Sequence, residues 1–377
     1  MESHRFEMRY IPALDGLRGI AVLLVMAFHA EVPFLQGGFV GVDVFFALSG
    51  FLITALLLKE HSKSGRISFR NFYIRRALRL LPALFTIISA VILMSFIIQD
   101  AEGRSATLRE SLATLFYVSN WVLAFDLFDM YFLAHSWSLA IEEQFYILWP
   151  MTLSLLMALR LKRNHLFTII AALGLASWGW RMLLLAGGEP VDRVYFALDT
   201  RLDGLLLGSA LAVLLSSNLI KPFAGETKRT QRLGTWVPFG ALALMIGVCI
   251  LPHPHPHFAY QVTIPLVVFV SLIILYFVTG STTYQTPVER VLSHPALIYL
   301  GRISYGLYLW HLLICRIVYD KLNLESWVLG TLLSVSAALI AASLSYFIIE
   351  KPALSLKDRF QFKPTTANSP VSQASSP

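Results

Sequence analysis

Residues 260–279 read YQVTIPLVVFVSLIILYFVT, a run of 20 residues without Asp, Glu, Lys, Arg or His. A helix of about 20 apolar residues crosses the hydrocarbon core of a bilayer, so this run alone predicts a transmembrane helix. The same pattern, in several cases interrupted by polar residues, recurs along most of the chain. We therefore predict an all-α integral membrane protein with about ten transmembrane helices. The other nine candidate spans are 13–34, 40–58, 78–98, 137–159, 165–186, 202–218, 236–251, 298–318 and 327–349.

Composition supports a membrane domain over a set of soluble ones. Apolar residues make up 56% of the 377 residues and charged residues 14%, whereas a soluble domain carries about 25% charged residues. Mean hydropathy is +0.65. We predict one transmembrane domain over 10–352, followed by a cytoplasmic tail, 353–377, that is largely disordered because it is rich in Ser, Thr and Pro. Cys249 and Cys315 lie in apolar runs and predict no disulfide framework.

Loop charge predicts the orientation. The loop between the second and third spans is strongly basic, 99–136 has an excess of acids, and 219–235 is basic again. Lys and Arg concentrate in cytoplasmic loops, so the net charge of +7 needs no nucleic-acid partner. The alternation predicts that both termini are cytoplasmic.

Ionisable side chains inside the spans are the first candidates for function, because they are costly in a bilayer. On the first span, Asp15, Arg18 and His29 share one helical stripe, with Arg18 and His29 roughly 16 Å apart along the axis. Arginine suits a phosphate and neutral histidine a general base. The alternative is that Arg18 pairs with Asp15 at the interface and His29 bonds another helix. For the three together we favour a function.

The second span begins with the stretch 37–51, GGFVGVDVFFALSGF. Its small residues allow close packing of helices, and we favour packing as their role. Asp43 has two open interpretations. It either orients an imidazole or binds a hydroxyl, or it caps the start of its helix.

Two further stretches place charges at or in the membrane. Arg76 and Arg79 are one turn apart and could hold the phosphates of an anionic cofactor. The alternative is that they act only as topology determinants, and on spacing alone we favour that alternative. In 135–150, HSWSLAIEEQFYILWP, the side chains of Ser138, Glu142 and Tyr146 share one face. Adjacent carboxylates at this depth are costly unless they face a cavity; alternatively, one of them caps the helix start.

Two weaker candidates have mainly structural interpretations. Asp199, Arg201 and Asp203 are spaced by a turn or less, and we favour a structural ion network over a substrate role. The histidines of 253–257 alternate with prolines, and we favour incidental surface residues over a metal tract. We predict no metal.

Taken in order, these stretches resemble the acyltransferase-3 family, multipass membrane O-acyltransferases of bacterial surface glycans. The resemblance covers nearly all of 10–352. It rests on 14–18 with ten residues between Arg18 and His29, 37–51, 72–82, 137–150, 199–207, and SYGLYLWH at 304–311.

The resemblance implies an enzyme of the bacterial inner (plasma) membrane. The donor would be cytoplasmic acyl-CoA, usually acetyl-CoA, and the acceptor a hydroxyl of a surface glycan such as lipopolysaccharide, or of a lipid-linked sugar. The family's Arg-to-His motif falls on Arg18 and His29, and its arginine pair on Arg76 and Arg79. Many relatives carry a C-terminal esterase-like domain; this chain resembles the stand-alone members.

A mechanism follows from the residues and the resemblance together. Arg18, Arg76 and Arg79 hold the CoA phosphates, and His29 acts as general base or accepts the acyl group itself. Glu142 positions the acceptor or orients His29. Asp43 could also orient the His29 imidazole. We expect Trp137, Ser138 and Tyr146 to bind substrate.

The competing hypothesis is a transporter or flippase of an anionic or lipid-linked substrate, since intramembrane acids, arginines and a histidine also suit a proton-coupled carrier. Acyl transfer predicts release of CoA, whereas transport does not. A third hypothesis is an acyltransferase that acts on peptidoglycan or on a sterol-like lipid. It differs from the first hypothesis only in the acceptor. The sequence does not identify the hydroxyl that is modified, the acyl chain or the oligomeric state. It also does not distinguish direct transfer from transfer through an acyl-enzyme.

Overall fold

The computed structural model describes residues 9–251, 256–280, 284–322, 324 and 326–356. Every regular element in this part of the chain is helical, which confirms the all-α prediction. Most of the predicted tail (357–377), together with His253 and His255, lies outside the described residues. The start of the tail, 353–355, is helical.

The helices are numbered in chain order. The first nine are α1 (Pro12–His29), α2 (Gly41–Ser64), α3 (Phe69–Ile98), α4 (Ala101–Leu115), α5 (Ser119–Ala124), α6 (Ser136–Ala158), α7 (Arg163–Ala186), α8 (Val191–Phe196) and α9 (Leu202–Ser216). The others are α10 (Lys228–Ile250), α11 (Pro256–Phe258), α12 (Ile264–Val278), α13 (Pro287–Leu292), α14 (Pro295–Arg302), α15 (Ser304–Arg316), α16 (Trp327–Ser345) and α17 (Lys351–Ser355). A 3-10 turn covers Gln36–Val40, and π-helical turns cover Ala259–Thr263, Ile317–Lys321 and Tyr346–Glu350.

Local sequence signals set several helix ends. The side chain of Asp100 accepts a hydrogen bond from the amide of Gly103 and caps α4. Thr227 and Thr230 form a reciprocal capping box at the start of α10. These contacts satisfy amides that the first helical turn leaves without partners. Gly65, with φ of 71°, ends α2 in the left-handed conformation that glycine adopts without strain.

Seven of the described helices or helical runs are long and apolar enough to cross a membrane, and an eighth is obtained if the bent pair α14 and α15 counts as one span. The chain therefore has the character of a multipass membrane protein, but the prediction of ten spans is not confirmed. Each of the ten predicted segments does contain a helix. The orientation of the termini stays a prediction.

Each of the three predicted spans that is not among the seven has a feature that explains its absence. Helix α6 carries Glu142 and Glu143 and is not among the seven. Helix α9 has only 15 residues, too few to cross the hydrocarbon at 1.5 Å per residue. The predicted span 298–318 is broken, because α14 and α15 meet at an angle of 72°.

Glycines let the central helices approach closely. A Cβ on Gly50 of α2 would lie within 3.0 Å of backbone atoms of Leu205 on α9, and a Cβ on Gly208 would meet the backbone of Ala47. Gly16 of α1 and Gly301 of α14 are equally constrained by backbone facing them. The packing role favoured for the glycines of 37–51 agrees with this geometry. Helix α2 is thereby buried in the centre, with α1 and α9 beside it.

Candidate active site

Two cavities lie at the two ends of α1. The first, of about 430 Å³, is lined near the start of α1 by Arg18, and also by Arg76, Arg79 and Glu142. We call it the arginine cavity. The second, of about 630 Å³, is lined by His29 at the end of α1 and by His135. We call it the histidine cavity. One helix thus carries Arg18 and His29 to different chambers, as their spacing along the stripe requires.

The three predicted arginines meet in the arginine cavity but differ in their partners. Arg18 pairs with Asp15 at 3.4 Å. Arg76 donates three hydrogen bonds to Glu143, of 2.8, 3.0 and 3.3 Å, and its guanidinium lies 3.1 Å from the centroid of the Tyr146 ring.

Of the three predicted arginines, Arg79 is the one that forms no ion pair with a carboxylate of the described residues. Its side chain is exposed at the cavity, and no carboxylate in the described part of the chain lies within ion-pair distance of it. A guanidinium in this setting matches the oxygen geometry of a phosphate or carboxylate.

Glu142 belongs to the arginine cavity and not to the histidine cluster. It accepts a hydrogen bond of 2.9 Å from Ser49 and one of 3.4 Å from Tyr146. The hydrogen bonds of His29 go elsewhere, so the interpretation that Glu142 orients His29 is not supported. Its other predicted role, to position the acceptor, stays a prediction.

Asp43 is committed to a buried ion pair. Its carboxylate accepts a hydrogen bond of 2.8 Å from Arg201, and both side chains are almost fully buried. Removing either charge would leave the other unpaired in a medium of low dielectric constant, which explains why they remain together. Asp43 makes no hydrogen bond to an imidazole among the described residues. The interpretation that it orients His29 is therefore corrected: it orients Arg201.

The predicted ion network around α9 exists, but its partners differ from those inferred from spacing. Arg181 of α7, which the sequence did not single out, binds Asp203 at 2.6 Å. Arg193 binds Asp199 at 2.6 Å. Although partial burial opposes it, the hydrogen bonds from Arg193 and Trp180 hold the pKa of Asp199 below its ordinary value.

Three histidines cluster beside the histidine cavity. His29 Nδ1 lies 3.0 Å from the carbonyl oxygen of Val25 and 3.2 Å from His311 Nε2. His311 Nδ1 lies 2.6 Å from the carbonyl oxygen of Tyr308. The rings of His135 and His311 have centroids 5.0 Å apart. The sequence interpretation missed His135 and His311 as site residues. The available signal was their position at the ends of two stretches already quoted, 135–150 and 304–311.

The two cavities share a thin wall. Val42 and Tyr308 line both of them. The hydroxyl of Tyr308 donates a hydrogen bond of 3.0 Å to the carbonyl oxygen of His135 and therefore accepts the 2.6 Å hydrogen bond from Ser138. A group bound in the arginine cavity is thus separated from the histidine cavity by individual side chains.

The predicted substrate-binding residues divide between the chambers. Trp137 lies in the histidine cavity, where its ring packs against Tyr195 with centroids 4.8 Å apart. Ser138 and Tyr146 line the arginine cavity. Tyr260 and Phe196 complete an aromatic wall around the histidine cavity.

The loop that carries His135 is fixed by a buried acid. Glu110 of α4 accepts hydrogen bonds from the amides of Tyr131 and Leu133. Burial nevertheless raises the pKa of Glu110 to about 7. The hydroxyl of Tyr131 in turn donates a hydrogen bond to Asp320, so the loop connects α4 to the π-helical turn that follows α15.

A third cavity, of about 560 Å³, adjoins the histidine cavity through His29, Gln36 and Arg316, which line both. Its other polar residues include Glu31 and Asp320. Within the described residues, no group of three His, Cys, Asp or Glu side chains is arranged to hold a metal ion.

A family model described as "Acyltransferase domain", that of the acyltransferase-3 family, matches residues 11–348. The chain belongs to the acyltransferase-3 family. The match includes every residue named above as lining the arginine or the histidine cavity.

Three named relatives of this acyltransferase-3 chain come from different bacterial species. A Staphylococcus aureus protein named "Putative O-acetyltransferase" is 36% identical over 92% of the chain and 58% of its own length. Peptidoglycan O-acetyltransferase OatA of Listeria monocytogenes is 33% identical, over 92% and 56%. A Bacillus subtilis protein named "Putative peptidoglycan O-acetyltransferase YrhL" is 36% identical, over 91% and 55%.

The acyltransferase-3 chain thus spans a little over half the length of the curated relatives it matches. A comparison with solved structures finds no match. The prediction that this is a stand-alone member stays a prediction.

Proposed function

We propose that the chain is a membrane O-acyltransferase that moves an acetyl group from cytoplasmic acetyl-CoA to a hydroxyl of a cell-envelope glycan on the opposite side of the inner membrane. The observation that carries the proposal is the pair of cavities at opposite ends of α1. One is lined by four arginines, the three predicted ones and Arg9, the other lies beside the histidine cluster, and Tyr308 stands in the wall between them. The family and the names of the relatives agree with this chemistry.

The arginine cavity suits the donor. CoA carries phosphates, and the guanidinium of Arg79 has no carboxylate partner among the described residues, while Arg18 and Arg76 add positive charge. The basic loop that precedes α3 faces the cytoplasm by the positive-inside rule, which puts the mouth of this cavity on the side where acetyl-CoA is made. The apolar lining toward Leu52 and Phe45 suits the uncharged arm that carries the thioester.

The histidine cavity suits the acceptor. Its aromatic wall, with Trp137, Tyr195 and Tyr260, offers flat apolar faces to the CH groups of a sugar ring. The hydroxyl groups find polar partners in Gln36 and Arg316. The relatives named as peptidoglycan O-acetyltransferases favour a glycan as the acceptor class. Lipopolysaccharide and a lipid-linked sugar remain narrower alternatives.

The reaction requires one base and one leaving group. His29 takes the proton of the acceptor hydroxyl as its oxygen attacks the carbonyl carbon of the thioester. A C–O bond forms, the C–S bond breaks, and the thiolate of CoA leaves with the proton that His29 gives back, which returns His29 to its neutral form. The thioester reaches His29 when the side chains of the shared wall, Val42 and Tyr308, move aside.

The test is release of CoA by purified protein in detergent, supplied with acetyl-CoA and solubilised peptidoglycan strands, with His29→Ala alongside. We expect glycan-dependent release from the wild type and a loss of at least 100-fold in the variant, the range that a positioned base contributes. Equal release by wild type and variant would remove His29 as the base.

A carrier is the second candidate, because ionisable side chains that line cavities between membrane helices also mark substrate and ion pathways. It predicts no CoA release with any acyl-CoA or envelope fraction, together with uptake of an anionic substrate into vesicles. That result from folded protein would replace the acyltransferase by a transporter.

A further inference from the structure

His311 has a protonation pattern that its neighbours fix. Its Nδ1 lies 2.6 Å from the carbonyl oxygen of Tyr308. A carbonyl oxygen accepts hydrogen bonds and cannot donate, so Nδ1 of His311 carries the proton. The side chain is fully buried, beside two other imidazoles. A second proton would place an imidazolium in an apolar interior without a carboxylate partner among the described residues, which is costly. His311 is therefore neutral, and its Nε2 has a lone pair.

The proton of His29 follows from that lone pair. His29 Nδ1 lies 3.2 Å from His311 Nε2, and since His311 Nε2 accepts, His29 Nδ1 must donate. An independent contact agrees, because the same Nδ1 lies 3.0 Å from the carbonyl oxygen of Val25, a second acceptor. Neutral His29 is thus the Nδ1–H tautomer. Its basic nitrogen is Nε2, which makes no hydrogen bond within the described part of the chain, and the half-buried ring lines the histidine cavity.

We propose that His311 is a positioning residue that holds His29 in the tautomer and orientation required of the general base. The inference rests on the proposed function of His29. Before transfer, Nε2 of His311 accepts the hydrogen bond from Nδ1–H of His29. Nε2 of His29 is then free to bind the acceptor hydroxyl. When Nε2 takes the hydroxyl proton, Nδ1–H of the resulting imidazolium still donates to His311. His311 thus supports the base in both states without exchanging a proton itself.

Two substitutions separate this role from mere packing. His311→Gln keeps a carbonyl oxygen for His29 and an amide donor for Tyr308, whereas His311→Leu keeps only bulk. For His311→Leu we expect kcat to fall by about 100-fold. The KM for acetyl-CoA should stay within about twofold of the wild type, because His311 does not line the arginine cavity. For His311→Gln we expect at least a tenfold recovery of that kcat loss. A kcat of His311→Leu equal to the wild type would overturn the proposal, since Val25 alone would then suffice.

A spectroscopic measurement tests the same inference without activity. Nitrogen-15 solid-state NMR of histidine-labelled protein in bilayers distinguishes the two neutral tautomers, and subtraction of the His29→Gln spectrum isolates His29. We expect the Nδ1–H tautomer in the wild type and in His311→Gln. The Nε2–H tautomer in the wild type would overturn the proposal, even where His311→Leu fails to fold. Failure of the wild type to release CoA would instead overturn the proposed function and leave the tautomer result standing.

Discussion

At the scale of single residues, the arginine cavity depends on an imbalance between guanidinium groups and carboxylates. Arg18 and Arg76 are paired with Asp15 and Glu143, while Arg79 has no acidic partner among the described residues. An unpaired cation that faces a cavity attracts an anion without first having to break an internal ion pair. Arg79 is therefore the residue of the three on which donor affinity should depend most directly.

The first prediction concerns Arg79. Arg79→Ala should raise the KM for acetyl-CoA by about tenfold, because a hydrogen bond to a charged group contributes roughly 1.5–3 kcal/mol. Arg79→Lys should recover part of this, since it keeps the charge but not the planar fork. The measurement is the KM of each variant by CoA release.

Arg75→Ala is the matched control for Arg79. It removes the same charge from the same helix, but Arg75 pairs with Glu60 and does not line the arginine cavity. A general effect of basic charge on topology would alter both variants equally and would contradict the specific role of Arg79.

The sequence predicted part of the site at this scale. Helical spacing placed Arg76 and Arg79 on one side of their helix, and both line the arginine cavity. It placed Arg18 and His29 on one stripe of α1, and they line cavities at its two ends. It did not reveal that His311 contacts His29, because 282 residues separate them and helical periodicity describes only neighbours on one helix. Asp43 was assigned to the wrong partner for the same reason, since Arg201 lies on the approach to α9.

At the scale of helices, the central packing depends on backbone contact between α2 and α9. A side chain at Gly208 has no room, because the facing atoms belong to the backbone of α2 and cannot rotate away. Small residues serve this purpose in membrane helices generally, where close contact replaces the hydrophobic effect between helices.

The second prediction follows from this contact. Gly208→Ala should destabilise the protein by about 1–3 kcal/mol, the usual range for overpacking. Gly240→Ala on α10 is the matched control, because a Cβ there meets no atom within 4 Å. It should be neutral or stabilise by about 0.5–1 kcal/mol. The measurement is the thermal midpoint in detergent, and equal midpoints for the two variants would contradict the packing account.

The third prediction concerns the loop held by Glu110, which leads to His135. Burial raises the pKa of Glu110 from its ordinary value of 4.5 to about 7. The folded protein therefore binds a proton that the unfolded chain releases between about pH 4.5 and 7, so folding stability should fall as the pH rises through this window. Glu110→Gln keeps an acceptor for the loop amides and removes the titration.

Thermal midpoints from pH 5 to 8 test this expectation. The wild type should lose stability as the pH rises over this range, and Glu110→Gln should lose less. Curves of the same slope for both proteins would show that another group is responsible.

Helix positions were largely predictable from the sequence, but the number of spans was not. Apolar length located a helix in each of the ten segments. It could not reveal the bend of 72° between α14 and α15 or the short α9, since hydropathy averages over a window and does not report helix direction. The partly buried carboxylates of Glu142 and Glu143 lowered the apolar signal of α6, a helix that carries site residues.

At the scale of the whole molecule, function depends on how the helices divide the interior. Residues of α1, α2, α3, α6 and α15 meet in the arginine cavity, and the histidine cavity adds α5, α8 and the π-helical turn before α12. No single stretch of sequence supplies all the lining residues of either cavity, so neither cavity could be predicted from the sequence alone. The resemblance to the acyltransferase-3 family indicated the chemistry, whereas the arrangement of its parts required the structure.

The central claim is that the acetyl donor and the glycan acceptor occupy chambers that open to opposite sides of the membrane. The most direct test uses sealed proteoliposomes with carbon-14 acetyl-CoA trapped inside and soluble peptidoglycan strands outside. We predict that labelled ester appears on the external glycan and that His29→Ala forms none. When acetyl-CoA and glycan are both supplied only outside intact vesicles, we expect little ester. Ester formed only when both substrates share one side would contradict the two-chamber account.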